Sequence, residues 1–321
     1  MTLLQINERD NVAVALADLK RGRPIEFAGG VVTPLEDIPA GHKMALKDIA
    51  PGEEVIKYGY PIGRARVRIE AGRWVHTHNL ETGLGAIEQY EYRPAPARLG
   101  IRDSGRTFPG YRRESGRVGV RNEIWIIPTV GCVNRIAEVI AEQARRELKG
   151  LDNIDGIYAL THPYGCSQVG EDQLATQKIL AGLVNHPNAA AVLVVGLGCE
   201  NNNVDAFKEV LGDYDGDRVK FMVAQEMEDE IAAGLDLVGR LPSYARRFKR
   251  TPCPVSELVV GLKCGGSDGF SGITANPLVG AFSDMLVSHG GSTILTEVPE
   301  MFGAETLLME RAKDREVFEK I

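Results

Sequence analysis

Several features that mark common protein classes are missing from this sequence. Its 321 residues contain no apolar run of the roughly 20 residues that a membrane-spanning helix needs. Neither a Walker loop (GxxxxGK[ST]) nor a GxGxxG pattern is present, and the nearest segment, VGLGCE, matches neither. No CxxC pair occurs, and aromatic residues make up only 6 % of the chain. The sequence therefore predicts neither a membrane protein nor a dinucleotide-binding one.

An excess of positive charge is also missing, since 44 acidic residues outnumber 37 basic ones and give a net charge of −7. Nucleic-acid binding requires clustered Lys and Arg, so this balance argues against a nucleic-acid partner. It does not argue against a small anionic substrate, because a local pocket can be basic on an acidic protein.

The start of the chain, MTLLQINERDN, lacks a basic segment followed by an apolar one. No secretory signal is predicted from it, and the cytoplasm is the expected compartment. The five cysteines are then expected as thiols or metal ligands rather than as disulfides.

What the sequence does contain divides into three predicted segments. Residues 1–92 show short β-rich runs between Gly and Pro turns, with a hairpin predicted within 23–32. Residues 93–117 are rich in Pro, Gly and Arg and predict a linker or arm. From 118 to 321, apolar strand-like runs alternate with helical stretches, which predicts a doubly wound, mostly parallel α/β domain. The final RAKDREVFEKI is helical without a Gly or Pro stop, so truncation of a longer chain is expected.

Four cysteines follow predicted strands of this α/β domain. Ligands of open parallel sheets bind beyond the carboxyl ends of the strands, where loops converge. A shared soft-metal or iron–sulfur site, or one reactive thiolate, is therefore one interpretation. The alternative is that cysteine packs as a small hydrophobic residue in tight Gly turns, and Cys253 is predicted to be structural. The four loop cysteines are Cys132, Cys166, Cys199 and Cys264.

The same loops carry polar side chains suited to a hydroxylated or anionic ligand. The Gly-rich GLKCGGSDGFSG offers backbone N–H groups to a carboxylate or phosphate. The polar candidates are His162, Ser167, Gln168, Glu200, Asn201, Asn202, Ser267, Asp268, Ser271 and Asn276.

Histidines form another candidate site in the N-terminal segment. In GRWVHTHNLE, His76 and His78 are two residues apart, so on a strand they face one side and suit a shared metal. A solvated surface pair is the alternative. Asn79 is placed to orient a ligand, and His42 with Lys43 supplies an acid or base and a cation. An ordinary surface position is the alternative for Lys43.

The segment YRRESGRVGVRNE holds four arginines within ten residues. A solvated linker is one interpretation, and a bidentate carboxylate clamp is the other. The residues concerned are Arg112, Arg113, Arg117 and Arg121, beside Asn122.

Six motifs in a fixed order resemble the altronate/galactarate dehydratase family, whose relatives include sulfolactate sulfo-lyase. They are GHKMAL, GRWVHTHNLE, FPGYRRESGRVGVRN, THPYGCSQ, GLGCENN and LKCGGSDGFSGITANP. The resemblance covers essentially the whole chain and implies an N-terminal SAF (β-clip) domain before the α/β domain. Fused members of the family continue into a further C-terminal region.

The resemblance also implies a hydro-lyase that removes water from a hexonate or hexarate and gives a 2-keto-3-deoxy acid. The implied cofactor is a divalent metal, Fe²⁺ or alternatively Mn²⁺, with an iron–sulfur cluster as a further alternative. A homo-oligomer is compatible with it. Rival interpretations are a related lyase that expels sulfite, an iron–sulfur hydratase, or a sugar-acid-binding fragment without catalysis.

Residue roles follow as hypotheses from that reaction. His76 and His78 bind the metal, and His42 or Lys43 acts as base or acid next to Asn79. The loops around Cys166, Cys199 and Cys264 cover the site or hold a second metal. The substrate-binding residues are Arg117, Arg121, Asn122, Ser167, Gln168, Glu200, Asn201, Ser267 and Asp268.

Overall fold

The computed structural model describes residues 2–83, 90–95, 100, 105–148, 151–266 and 268–321. The chain forms two compact units. The first unit combines Met1–Arg102 with Val259–Ile321, and the second is Asp103–Leu258. These units do not coincide with the predicted segments 1–92, 93–117 and 118–321, because residues 259–321 group with the N-terminal residues.

The first unit begins with short antiparallel strands joined by turns. They are β1 (Leu3–Leu4), β2 (Val12–Ala15), β3 (Ile25–Phe27), β4 (Gly30–Val32), β5 (Lys43–Ala45), β6 (Glu54–Lys57), β7 (Tyr60–Ala65), β8 (Trp74–Val75) and β9 (Leu80–Glu81). Their sheets have the orders β1-β2-β5-β8, β3-β4 and β6-β7-β9. All of β2 is buried, as expected for an inner strand covered on both faces. The predicted hairpin is confirmed, since Ile25 pairs with Val32.

The second unit is built on a four-stranded parallel sheet of order β13-β12-β14-β15. Its strands are β10 (Thr107–Arg112), β11 (Val118–Gly119), β12 (Glu123–Pro128), β13 (Gly156–Ala159), β14 (Ala189–Gly196), β15 (Val219–Val223) and β16 (Arg250–Pro254). Its helices are α1 (Asn134–Glu147), α2 (Gly170–Val184), α3 (Val204–Leu211) and α4 (Glu230–Ala245).

Helices cover both faces of this sheet. Ile140 of α1 and Val238 of α4 share one core with Ile126, whereas Leu180 of α2 and Phe207 of α3 share the other with the opposite face of the sheet. All eight residues of β14 are buried, which explains its continuous apolar sequence. The predicted doubly wound α/β fold class is confirmed.

Part of the predicted linker is wrong. Within residues 93–117, β10 pairs with β11 and β16 in an antiparallel sheet, and Phe108 lies opposite Cys253. This pairing joins segments far apart in the chain, and neither has an apolar alternation that would predict it. Cys253 is fully buried. Residues 96–99 and 101–104 of the predicted linker lie outside the described residues.

The remaining elements return to the first unit. They are β17 (Val259–Leu262), α5 (Ala275–Ser288), β18 (Ser292–Leu295), α6 (Glu305–Met309) and α7 (Arg315–Lys320). The strands β17 and β18 pair in parallel in a two-stranded sheet of their own within the described part of the chain. The strand before Cys264 therefore does not extend the large sheet, contrary to prediction. No helix in the described ranges is long and apolar enough to cross a membrane.

Candidate functional site

Strand register in the first unit brings three histidines together. In the antiparallel pair of β5 and β8, Lys43 lies opposite Val75 and Met44 opposite Trp74. The same register places His42 opposite His76, and their ring centroids lie 5.3 Å apart. The Trp74 ring contacts His42, His76 and His78 at centroid distances of 5.0, 5.4 and 5.8 Å. We call His42, Lys43, Trp74, His76 and His78 the histidine cluster.

Residues 76–79 form a turn between β8 and β9, not a strand. The premise that His76 and His78 share one face of a strand is therefore wrong. Asn79 is buried and closes this turn, because its Oδ1 accepts from the His76 N–H at 3.0 Å and its Nδ2 donates to the Trp74 carbonyl at 2.9 Å. The Asn79 amide thus holds the backbone of His76 and Trp74 in place rather than facing a ligand.

Burial and neighbouring basic groups lower the pKa of two bases in the cluster. Burial lowers the pKa of His76, and the nearby charges of His42, Lys43 and His78 lower it further. Burial also lowers the pKa of Lys43, with a contribution from Lys57. The Trp74 Nε1 is buried and has no hydrogen-bond partner within the described part of the chain. The cluster therefore combines excess positive character with a donor that is not used by the fold.

The donor chemistry of the cluster fits a divalent metal in part. Neutral imidazole is the form of histidine that binds Fe²⁺ or Mn²⁺, and a lowered pKa keeps His76 in that form. The ring centroid of His42 lies 5.3 Å from that of His76, whereas the ring of His78 contacts that of Trp74. Among the described residues, no group of three or more His, Cys, Asp or Glu side chains is arranged to hold a metal ion.

The Gly-rich loop after β17 lies against the histidine cluster in the first unit. A Cβ added to Gly41 would come within 3.2 Å of the Gly269 Cα, so the two backbones touch next to His42 and Asp268. Asp268 Oδ1 accepts from the Phe270 N–H at 2.7 Å. Ser267 lies outside the described residues.

The predicted anion cradle of this loop holds a carboxylate from the chain itself. The Cys264 N–H donates to Glu297 Oε2 at 2.7 Å, and Lys263 pairs with Glu297 at 3.0 Å. The backbone amide of Cys264 thus has an internal anionic partner. Cys264 belongs to the first unit, whereas Cys132, Cys166 and Cys199 belong to the second.

In the second unit, loops do converge at the carboxyl edge of the parallel sheet. The Gly131 N–H donates to the Tyr164 carbonyl at 2.7 Å, joining the loops after β12 and β13. Asn201 joins the loops after β13 and β14, since its N–H donates to the Cys166 carbonyl and its Nδ2 to the Gln168 carbonyl, each at 3.0 Å. Ser167 is exposed there, and its Oγ lies 3.6 Å from Cys166 Sγ. We call these segments the carboxyl-edge loops.

The buried carboxylate of Glu200 organises these loops. Its Oε1 accepts from Thr129 Oγ1 at 2.7 Å and from the Leu197 N–H at 2.9 Å, and its Oε2 accepts from the Gly198 N–H at 2.6 Å. Burial raises its pKa, but these hydrogen bonds outweigh burial and hold the pKa below its usual value. Glu200 is therefore an internal anchor. The Oδ1 of the neighbouring Asn202 is buried and has no partner among the residues described.

The predicted arginine clamp lies at the other edge of the same sheet. Asn122 directly precedes β12 and is fully buried, so it marks the amino edge. Its Oδ1 accepts from Arg113 Nη1 at 2.7 Å and its Nδ2 donates to the Ala245 carbonyl at 3.1 Å. This side chain is fully engaged by the fold, which contradicts its predicted contact with substrate. Arg117 and Arg121 are exposed near it.

Sequence reasoning missed Trp74 and Thr129. Nothing in the local pattern distinguishes Trp74 from any half-buried aromatic residue, and only the pairing of β5 with β8 centres it among the histidines. Thr129 directly follows the buried strand β12, and this position was the one available indication.

Taken together, fold and site define a two-part α/β protein with a histidine-bearing β module and a doubly wound sheet that ends in polar loops. Three family models match the chain in succession. They are the altronate/galactarate dehydratase SAF domain over residues 1–83, the second domain of D-galactarate dehydratase/altronate hydrolase over 110–246, and the D-galactarate/altronate dehydratase C-terminal region over 255–321. The chain belongs to the altronate/galactarate dehydratase family.

Similar proteins include two altronate dehydratases. The one from Escherichia coli (strain K12) is 52 % identical over 321 residues, which are 100 % of this chain and 65 % of that protein. The one from Bacillus subtilis (strain 168) is 49 % identical over 320 residues, 100 % of this chain and 64 % of that protein. The galactarate dehydratase (L-threo-forming) of E. coli is 34 % identical over 99 % of this chain and 63 % of its own length. This chain thus spans slightly less than two thirds of each relative.

Proposed function

We propose that the protein with this chain is a hydro-lyase that removes water from a sugar acid, such as altronate or galactarate, and yields a 2-keto-3-deoxy acid. The observation that carries this proposal is the histidine cluster, where basic side chains of low proton affinity lie beside one another. The similarity of this chain, over its whole length, to two altronate dehydratases supports the same reaction.

The reaction needs a base, an acid and stabilised negative charge. Removal of the proton α to the carboxylate spreads its electron pair into an enediolate, and the β-hydroxyl leaves as water once it is protonated. The enol that remains converts to the 2-keto acid. We assign the base to Lys43, which is half-buried within the cluster, and the acid to His42.

Positive charge at the enediolate is the chief electrostatic requirement. A divalent metal bound by His76 and His78, iron in preference to manganese, would supply that charge. The Trp74 Nε1 points to a further role, since a buried indole N–H is suited to donate to a substrate oxygen. Asn79 orients His76 through the turn.

The remaining substrate contacts are proposed on the loops. In the first unit, Asp268 adjoins the cluster through the contact of Gly269 with Gly41 and is placed to accept from a sugar hydroxyl. For Ser167 and Gln168 of the second unit, substrate binding stays a prediction, and the thiols of Cys166 and Cys199 remain the alternative metal site.

The five cysteines are all free thiols. Free thiols are usual in a reducing compartment, which supports a cytoplasmic location. Assembly into a homo-oligomer stays a prediction.

The test combines metal analysis with turnover. Protein purified without oxygen is assayed for metal and for keto-acid formation from a panel of aldonates and aldarates. We expect about one iron per chain and keto acid from altronate or galactarate. The double variant His76→Ala/His78→Ala should lose both metal and turnover, whereas His186→Ala, in the second unit, should keep both. Metal and turnover unchanged in the double variant would contradict the proposed site.

The same assay separates the rival activities. Sulfite release from sulfolactate would move the protein to the related sulfo-lyases. Iron with matching sulfide and visible absorbance would move the chemistry to the cysteine loops. Sugar-acid binding that raises the Tm without any keto acid would indicate a binding protein and contradict the hydro-lyase.

A further inference from the structure

A cavity of about 430 Å³ opens in the second unit at the amino edge of its parallel sheet. Its walls come from the turn between β10 and β11, the segments before β14 and β15, and the end of α4. The carboxyl-edge loops lie at the opposite ends of these strands. This cavity is therefore distinct from both groups of residues to which the proposed reaction was assigned.

Two arginines in the wall form no ion pair with a carboxylate of the described residues. Arg113, only 8 % exposed, donates to the Pro187 carbonyl, Asn122 Oδ1 and the Arg121 carbonyl at 2.6 to 2.8 Å. Arg218 donates to the Val184 and Ala189 carbonyls at 2.5 and 3.1 Å. All of these acceptors are neutral, and no carboxylate within the described ranges forms an ion pair with either guanidinium.

The two positive charges oppose each other. Burial and the charge of Arg218 together lower the pKa of Arg113 to about 10. Burial also lowers the pKa of Arg218, opposed by Tyr244 and by the carboxylates of Asp215 and Glu114. Buried guanidinium groups normally pair with carboxylates or phosphates, so this pair has capacity for an anion that the described residues do not supply at ion-pair distance.

The rest of the wall adds positive charge at the entrance. Arg117 is exposed, and its side chain has no hydrogen-bond or ion-pair partner in the described part of the chain. Its charge reaches His186, another wall residue, whose pKa it helps to lower. Of the two acids in the wall, Glu114 is neutralised by Arg247 at 2.7 Å. Three arginines therefore face one uncompensated carboxylate, that of Asp215.

From this arrangement we propose that the cavity is a binding site for a small oxyanion, a phosphate or carboxylate group, held by Arg117 and Arg218 with Arg113 behind them. A guanidinium fork offers two parallel N–H groups to such an anion. The size of the cavity suits a small phosphorylated metabolite or organic acid rather than a polymer.

The experiment is calorimetric titration of the full chain, first with inorganic phosphate and then with acetate. We expect one equivalent of oxyanion per chain, and the tighter ligand names the group that the site takes. Arg117→Gln should weaken binding about tenfold, because it removes one charge-assisted contact. Arg218→Lys keeps the charge but removes the fork, so it should weaken binding by a similar factor.

The matched control is Arg240→Gln on α4, which removes an equal charge from an exposed ion pair with Asp236 outside the cavity. Its affinity should stay within about twofold of the unchanged chain. Since Arg218 is half-buried, thermal unfolding without ligand checks that the Arg218→Lys variant folds. If it does not fold, the variant at the exposed Arg117 decides the test. The proposal is overturned if no ligand binds at millimolar concentration, or if Arg117→Gln binds as tightly as the control.

Discussion

The histidine cluster of the first unit and the carboxyl-edge loops of the second use polar groups in opposite ways. In the loops, Glu200, Asn201 and His162 form hydrogen bonds with neighbouring backbone groups, and Asn202 Oδ1 is buried without a partner among the described residues. In the cluster, Trp74 Nε1 has no partner in the described ranges, and burial lowers the pKa of His76 and of Lys43. Polar content alone therefore does not identify a reactive site, and hydrogen-bonding groups left unused by the fold are the better indication where they lie beside basic side chains.

The largest expected effect comes from Lys43→Met. If Lys43 is the base, turnover should fall by about 10²- to 10⁴-fold. Stability should be kept or slightly raised, because Met needs no solvation of a charge at a half-buried position. Keto-acid formation and the Tm measure the two effects, with the exposed Lys47→Met as control. Turnover close to that of the control would remove Lys43 from the chemistry.

For Glu200→Gln, the comparison predicts a loss of stability, in contrast to Lys43→Met. The amide has one oxygen, so its NH₂ group would face an N–H donor, that of Gly198 or that of Leu197, and we expect a loss of about 2–3 kcal/mol in the free energy of unfolding. Urea denaturation measures it. Glu209→Gln, an exposed position on α3, should change stability by less than about 0.5 kcal/mol. Equal stability of the two variants would show that Glu200 is not an anchor.

A smaller effect is expected for Asn79→Ala. The variant leaves the His76 N–H and the Trp74 carbonyl without their partner, which should cost about 1–2 kcal/mol. Turnover should also fall, because His76 is no longer fixed. Lys47→Ala, at an exposed position outside this turn, serves as control for both measurements. An Asn79→Ala variant as stable and active as Lys47→Ala would refute this positioning role.

The smallest effect concerns pH. Burial lowers the pKa of His186, opposed by Glu123 and aided by Arg117, and its Nδ1 accepts from the Asn188 N–H at 3.1 Å. The unfolded chain therefore takes up the proton first. Stability should decline as pH falls below about 6.5 toward the lower folded-state pKa, by a few degrees in Tm at most. His186→Asn keeps an acceptor without titrating, so its Tm should fall less over that range, and an unchanged slope would exclude His186.

The large sheet was predictable because its evidence is local. The apolar run of β14 is buried on both faces, so each residue carries the same information as its neighbours. Membership of a sheet is not local. The apolar pattern of β17 resembles that of β14, yet β17 pairs with β18 and not with the large sheet. Similarly, β10 pairs with β16, although almost the whole sequence of the second unit lies between them.

The candidate site was predictable as a set of residue types but not as a geometry. Spacing singled out His76 and His78 for a strand that the structure replaces with a turn. The contact of His76 with His42 follows from the pairing of Lys43 with Val75, which local spacing does not reveal. Likewise Asn122 stands in a motif rich in cations, and only its burial shows that its amide serves the fold.

The register of β5 and β8 determines where residues can be inserted or deleted in the first unit without disturbing the histidine cluster. His42 and His76 face each other only while Lys43 stays opposite Val75. One residue inserted within either strand would displace one imidazole by about 3.3 Å and reverse the face of the side chains beyond it. Residues added between the two strands, at an exposed turn such as Gly52, would leave the register untouched. Insertions and deletions in this unit are therefore expected to collect in its turns.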